Sequence, residues 1–277
     1  MSRFHTRGVD AHAASWQPVS VIPDNSETDD SQVPAAAQTL RILSYLAGRP
    51  APVAASAIAR ELMLPRSTVY HLLHTLATHG FVLHLREERR WGLGTSAFEL
   101  AGGYARQQPL ARLGRPLIAA LSDQLAESAH LAVMSGGDVL YIVEERAPRR
   151  PALVTDVGVR LPAHLTATGR AMLAALPREQ VRALYPDASA FSDRTGRGPR
   201  RPGELRDLLR EVRSRGWATE DGEVAEGLRS VGAVVRDAAG WPVAAVAVTW
   251  AGDDGAEAVL AHAVRETAAT LETRLAR

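Results

Sequence analysis

The 277-residue sequence predicts an α+β protein of two domains, and three observations carry that prediction. Residues 54–81 read as two short helices joined by a tight turn. The residues after them form two short apolar runs about a charged turn. Beyond residue 109, antiparallel strand pairs are preceded and followed by amphipathic helices, the order of an α+β sandwich with a single covered sheet. With 46% hydrophobic residues, a chain of this length can bury two cores. No apolar run approaches the roughly 20 residues that cross a bilayer, and the first residues lack a positive-then-apolar leader pattern. Zero cysteines exclude disulfides and thiolate metal sites. Together these features point to a cytoplasmic protein with no membrane partner.

Residues 1–33 mix Ser, Asp, Pro and His without periodicity and are expected to form a disordered tail. Leu40, Ile42, Leu43 and Leu46 place a helix from Pro34 to a stop at Gly48-Arg49-Pro50. In residues 54–81, Ile58, Leu62, Leu64, Val69, Leu72, Leu73 and Leu76 recur at spacings that bury them on one side of two steeply crossing helices. Ala59 is the small residue expected at the closest approach. Gly80 ends the second helix. Residues 81–85 then read as a strand, 86–90 as a charged turn and 91–94 as a return strand. Three helices and a hairpin make a winged helix-turn-helix domain over residues 34–94, a form that lays one helix into the DNA major groove.

That helix opens after Pro65 and turns Arg66, Ser67, Thr68, Tyr70, His71 and His74 outward, a face that donates hydrogen bonds and carries no acid. Ser67 can instead cap the helix. At the hairpin tip, Arg89 and Arg90 either reach a phosphate or are simply solvated. The net charge of +1 is unevenly spread: −3 over residues 1–33, +4 over 34–94 and zero over 95–277. Positive charge on the helix-turn-helix segment favours double-stranded DNA as its partner. All 32 basic residues are Arg, which carries no functional reading.

Residues 95–108 are expected to form a linker helix, and residues 109–277 a second domain. Leu113, Leu117, Ile118, Leu121 and Leu125 make 110–126 an amphipathic helix. Residues 130–134 and 139–144 pair as strands about Gly136-Gly137-Asp138, and 153–157 read as a further strand. Residues 161–164 read as a loop, 168–176 as a helix, 186–203 as a surface loop and 204–215 as a helix ended by Gly216. The apolar runs 230–236 and 242–250 read as buried central strands about a turn. A helix over 256–274 closes the chain.

Four stretches in order, LPRSTVYHLLHTLATHGFV, WGLGTSAFELAG, LPAHLTATGRAMLA and GWATEDGEVAEGLRSVGAVVRDAAGWPVAAVAV, resemble the IclR family of bacterial transcriptional regulators. The resemblance covers about residues 35–275. It implies a C-terminal GAF-like domain that binds a small organic or aromatic acid effector and self-associates as a dimer or tetramer. It implies a regulator, a repressor in preference to an activator, acting on a palindromic operator. The effector pocket is placed between the loop ahead of the 168–176 helix, the acidic loop after Trp217 and the last two strands. Glu220, Ser230 and Thr249 fall on positions of polar effector contacts, and Ala247 stands where Ser is frequent. Ala167, Thr168 and Gly169 would offer free N–H groups to a carboxylate, while Leu161, Leu165 and Leu228 would supply apolar walls. Two positions depart from the pattern. His71 stands where Arg is common, and Met63 where Gly is common, which predicts a variant turn.

Each polar residue also has a plainer role. Thr166 or Thr168 can cap the helix, Ser230 can be structural, and Glu220, Asp221 and Glu223 can form a solvated acidic loop. An enzyme using His164 with Glu220 or Asp221 as an acid–base pair lacks a nucleophile motif, a phosphate-cradling loop and a metal constellation. His130, His164 and His262 stand alone without ligand spacing. No cofactor and no metal are expected. A further reading keeps the winged helix but gives the C-terminal domain only an oligomerising role, its pocket filled by side chains. The missing hydroxyl at Ala247 favours that reading.

Overall fold

The computed structural model describes residues 33–100, 109–148, 153, 155–252 and 257–276. It comprises two compact units, Met1–Gly102 and Gly103–Arg277. The expected tail (residues 1–32) and residues 101–108 of the expected linker helix lie outside the described residues; residues 95–100 are helical.

The N-terminal unit contains α1 (Pro34–Ala47), α2 (Ala55–Glu61) and α3 (Arg66–Thr78). Pro34 suits the first turn of α1, where its missing N–H has no helical partner to lose. Ile42, Ile58, Leu62, Val69, Leu73 and Leu76 are buried, and Ala59 with them. Between α2 and α3, Met63 has φ +52°. The turn therefore takes the left-handed conformation that favours glycine, and takes it without one. The wing has three strands rather than two: β1 (Val53–Ala54), β2 (Val82–Leu85) and β3 (Arg90–Leu93), in the order β1-β3-β2. Two residues are too few for a periodic signal, which hides β1 from a reading of the sequence. Trp91 is buried and stacks on His84 with 4.2 Å between ring centroids.

The C-terminal unit begins with α4 (Pro109–Leu125), followed by β4 (Ser128–Ser135), β5 (Asp138–Glu145) and β6 (Arg160–Pro162). Then come α5 (Ala167–Ala175), α6 (Arg178–Leu184), α7 (Pro202–Arg215) and β7 (Ala218–Asp221), and finally β8 (Leu228–Arg236), β9 (Pro242–Ala251) and α8 (Glu257–Leu275). The six strands form one antiparallel sheet in the order β6-β5-β4-β9-β8-β7. The strand period of two splits β8 and β9 between two cores. Val231, Ala233, Val235, Val246 and Val248 pack with α4 and α8 on one face. Ala245 packs with Ala132, Tyr141, α5 and α7 on the other. Helices thus cover both faces.

Three expectations for this unit are corrected. No strand occupies 153–157 among the described residues. The strand is β6, which overlaps the segment read as a loop, and an edge position tolerates its Pro162. The acidic segment after Trp217 is only partly loop: residues 218–221 form the edge strand β7, paired residue for residue with β8. Its polar Thr-Glu-Asp run conceals it. Helix α6, which buries no residue, lacks the apolar stripe that a sequence reading needs.

Candidate functional site

Arg66, Ser67, Tyr70, His71 and His74 are exposed on α3. At about 100° per residue they span an arc of about 140°. Thr68 falls outside that arc and is half-buried, so it flanks the face instead of forming it. Pro65 is the N-cap, and no side chain caps the helix, so Ser67 does not serve that role. Val69 is the first residue of α3 whose N–H bonds back, to the Pro65 carbonyl at 3.1 Å. The preceding N–H groups, with no acid nearby on α3, suit an anion such as phosphate. Arg89 sits exposed in the wing turn with φ +53°. Arg90 is the first residue of β3, and its Nη1 donates to the Pro52 carbonyl at 3.0 Å, tying the wing to the segment before β1.

In the C-terminal unit, strand alternation sends His130, Tyr141, Ser230, Ala247 and Thr249 to the face covered by α5. Register places Glu220 beside Ser230, Ser230 beside Thr249, and His130 opposite Ala247. With Thr166, Ala167 and Thr168 at the start of α5, and with Thr155 and Leu228, they line a cavity of about 20 Å³. That is room for about one water molecule. A chain of hydrogen bonds crosses it. Glu220 Oε2 accepts from Ser230 Oγ at 3.0 Å, Ser230 Oγ meets Thr249 Oγ1 at 2.9 Å, and Thr249 Oγ1 meets His130 Nε2 at 3.1 Å. Glu220 Oε1 accepts the Val224 N–H at 2.9 Å.

Burial pushes the Glu220 carboxyl up to about 7, with Glu223 adding to the shift and Arg170 opposing it. Burial, helped by the charge of Arg146, pushes His130 down to about 3, so its ring is neutral. Among the described residues, two buried polar atoms of this lining have no partner: His130 Nδ1 and Thr155 Oγ1.

The start of α5 is held tightly. Thr166 is its cap, accepting the Gly169 N–H at 3.0 Å, which removes Gly169 from the expected set of free donors. A Cβ at Gly169 would sit 2.2 Å from the Ala163 carbonyl oxygen, and one at Gly232 would sit 2.8 Å from the Ala167 backbone. Helix and sheet therefore touch backbone to backbone here. Leu161 packs in the α5–α7 core and Leu165 lies beside Gly198; both are buried outside the cavity. Buried Arg170 donates to the His164 carbonyl at 2.8 Å, the Thr219 carbonyl at 2.7 Å and Glu223 Oε1 at 2.8 Å. It anchors the loop 222–227, which gives Val224 and Ala225 to the cavity wall. Gly222 and Gly227, at φ +74° and +77°, bound that loop.

The expected acid–base pair is not assembled. His164 lies between the rings of Tyr185 and Phe191, with its Nε2 on the Ser192 carbonyl at 3.0 Å, and is not part of the cavity that holds Glu220. Asp221 is ion-paired with Arg229 at 3.2 Å. His262 is exposed beside Glu266. Among the described residues, no group of three or more His, Cys, Asp or Glu could hold a metal ion, and no helix is long and apolar enough to cross a membrane. Nothing in the sequence marks Tyr141, Thr155 or Arg170, and His130 reads there as a lone histidine. The alternation of residues 129–132 carries the one signal for His130, since it shares a face with Ala132.

The IclR helix-turn-helix domain matches residues 35–85, and the C-terminal domain of bacterial transcriptional regulator IclR matches residues 102–273. The Pca regulon regulatory protein of Pseudomonas putida is 32% identical over 214 residues, covering 77% of this chain and 72% of that protein. The transcriptional repressor IclR of Escherichia coli is 28% identical, covering 79% of this chain and 80% of that one. An IclR homologue from Microbacterium hydrocarbonoxydans, crystallised as a complex with 4-hydroxybenzoate, shares the fold. Its TM-score is 0.73 over 87% of this chain and 98% of that chain, at 22% identity. A donor-rich α3 in a winged helix, an antiparallel sheet domain after it in the sequence and these matches lead to one conclusion: the chain belongs to the IclR family of bacterial transcriptional regulators.

Proposed function

We propose that this protein represses transcription from a palindromic operator as a dimer or tetramer, and that a small organic or aromatic acid in the α5 cavity changes its affinity for DNA. The observation that carries the effector half is the pair of buried, partnerless atoms, His130 Nδ1 and Thr155 Oγ1, at the N-terminal end of α5. The first N–H groups of a helix have no partner within it, which makes Ala167 and Thr168 a seat for a carboxylate. The neighbour with bound 4-hydroxybenzoate, an aromatic acid, supports the ligand class.

A ligand larger than water needs a moving wall. Loop 222–227 is the wall with glycine ends, whose φ can change at low cost, and moving it would break the bonds of Val224 N–H to Glu220 and of Glu223 to Arg170. On DNA, Arg66, Ser67, Tyr70, His71 and His74 read the major groove, Thr68 supports from the flank, and Arg89 reaches a phosphate. Arg90 holds the wing in place. Two α3 helices related by a dimer axis would sit about one DNA turn, or a multiple, apart. Effector binding shifts operator affinity only as far as it prefers one arrangement of the dimer. The protein acts in the cytoplasm and carries out no chemistry on its ligand.

The small volume of the cavity favours one second reading, a C-terminal domain that only oligomerises. Thermal-shift and calorimetric titration with 4-hydroxybenzoate and a set of small mono- and dicarboxylates, paired with operator gel shifts, separates the two. Binding that changes operator affinity supports the effector reading. No binding by any acid at millimolar concentration leaves the oligomerising one.

A further inference from the structure

The hydroxyl chain across the cavity has a direction. Ser230 Oγ spends its one proton on Glu220 Oε2, so in its bond with Thr249 it must accept. Thr249 then spends its proton on Ser230 and must accept from His130 Nε2. His130 is therefore protonated on Nε2, and its partnerless Nδ1 is a bare lone pair. With Glu220 ionised, every hydrogen in the chain is spent along it toward Glu220, and none is left for a ligand.

That arrangement opposes an anionic ligand. None of the described lining residues is an Arg, and Arg170 is committed to Glu223 and two carbonyls. A carboxylate placed in the cavity would meet the charge of Glu220 in a space without bulk water. Facing Glu220 are His130 of β4, Tyr141 of β5, Arg170 of α5 and Glu223 of the 222–227 loop, with Glu144 and Arg146 further out around Tyr141 and His130.

We infer that the cavity takes a carboxylate ligand together with one proton, and that this proton reverses the His130–Thr249–Ser230–Glu220 relay so that His130 Nδ1–H becomes the donor to the ligand. The inference rests on the cavity being the effector site. The balance is simple. A solvent proton adds at Nδ1, the Nε2 proton passes to Thr249 Oγ1, the Thr249 proton passes to Ser230 Oγ, and the Ser230 proton passes to Glu220. One proton enters, Glu220 becomes neutral, and His130 stays neutral as the other tautomer. The step removes the like charge and adds a side-chain donor to the N–H groups of Ala167 and Thr168. Glu220 already titrates close to neutrality, so the proton is held at modest cost.

Isothermal calorimetry of the full chain with 4-hydroxybenzoate and smaller carboxylates, in buffers of differing ionisation enthalpy, tests the proton. Uptake is expected to approach about one proton per ligand at about pH 8.5 and to vanish by about pH 6, with affinity falling up to about tenfold per pH unit above about 8. Glu220→Gln offers a neutral donor to Ser230 and should bind with no uptake and no pH dependence. Nitrogen-15 NMR of labelled histidine on the unmodified chain should show His130 changing from the Nε2–H to the Nδ1–H tautomer on binding. Binding without proton uptake at every pH, or a His130 that keeps Nε2–H in the complex, overturns the inference and leaves the effector site standing. Failure of every carboxylate to bind, or binding unaltered by Ala247→Leu, overturns the effector site and the inference with it.

Discussion

The exposed side of α3 draws its residues from nine consecutive positions, 66–74, whereas the cavity beside α5 joins His130 to Thr249 across 119 residues of sequence. The first surface is solvent-facing and makes few internal contacts. The second is buried, polar and wired into the fold through Arg170, Glu220 and two glycines at backbone contact. The difference predicts that operator recognition by α3 and fold stability are separable in this chain, and that ligand recognition at the cavity and stability are not. Substitutions on α3 should change DNA binding alone; those around the cavity should change both ligand response and unfolding.

The sharpest test of that contrast is Arg170→Met. It strands the Glu223 carboxylate and frees two carbonyls, and should cost the C-terminal unit about 4 kcal/mol in urea unfolding. An effect below about 1 kcal/mol would mean that the loop 222–227 is not anchored there. Next comes pH. The folded pKa of Glu220 is raised, so its contribution is fully present below about 4.5 and is lost as pH rises through about 7. His130 titrates in both proteins and cancels in a comparison. Relative to Glu220→Gln, the unmodified protein should therefore lose about 3 kcal/mol between about pH 4.5 and 8, then level off. Parallel stability profiles would place Glu220 in solvent.

On the other side of the contrast, Arg66→Ala should weaken operator binding about tenfold in a gel-shift titration and leave both unfolding transitions unchanged. His71→Ala should alter operator preference more than overall affinity, which a selection from random duplexes reads directly. The smallest effect is expected at the turn: Met63→Gly should stabilise the N-terminal unit by about 1 kcal/mol, because Met63 holds a left-handed φ that glycine adopts freely. A loss of stability would point to packing of the Met63 side chain, which is 86% exposed.

The two regions also differ in how far the sequence reveals them. The α3 face follows from helical periodicity over a dozen residues, and Thr68 is half-buried because its angular position about the helix turns it toward the core. Arg90 reads as part of the tip because five consecutive charged residues carry no signal for where a strand begins. For the cavity, the resemblance points to Glu220, Ser230, Thr249 and the start of α5. His130 and Tyr141 needed the pairing of β4 with β5 and β9, which no local pattern encodes. Arg170 reads as an ordinary charged residue in a helix until three acceptors from distant segments converge on it. Leu161 and Leu165 are apolar residues in the right segment, and only the packing reveals that they face elsewhere.

The coupling between the two regions is read most plainly by fluorescence anisotropy of an operator duplex selected from random DNA, with and without a saturating carboxylate that the protein binds. The unmodified chain should change its operator affinity at least fivefold on adding the acid. Ala247→Leu, which fills the cavity, should bind the same duplex as tightly as the unmodified chain and show no change with acid. Equal responses in both proteins, or no response in the unmodified one, would contradict the assignment of this cavity as the site that controls DNA binding.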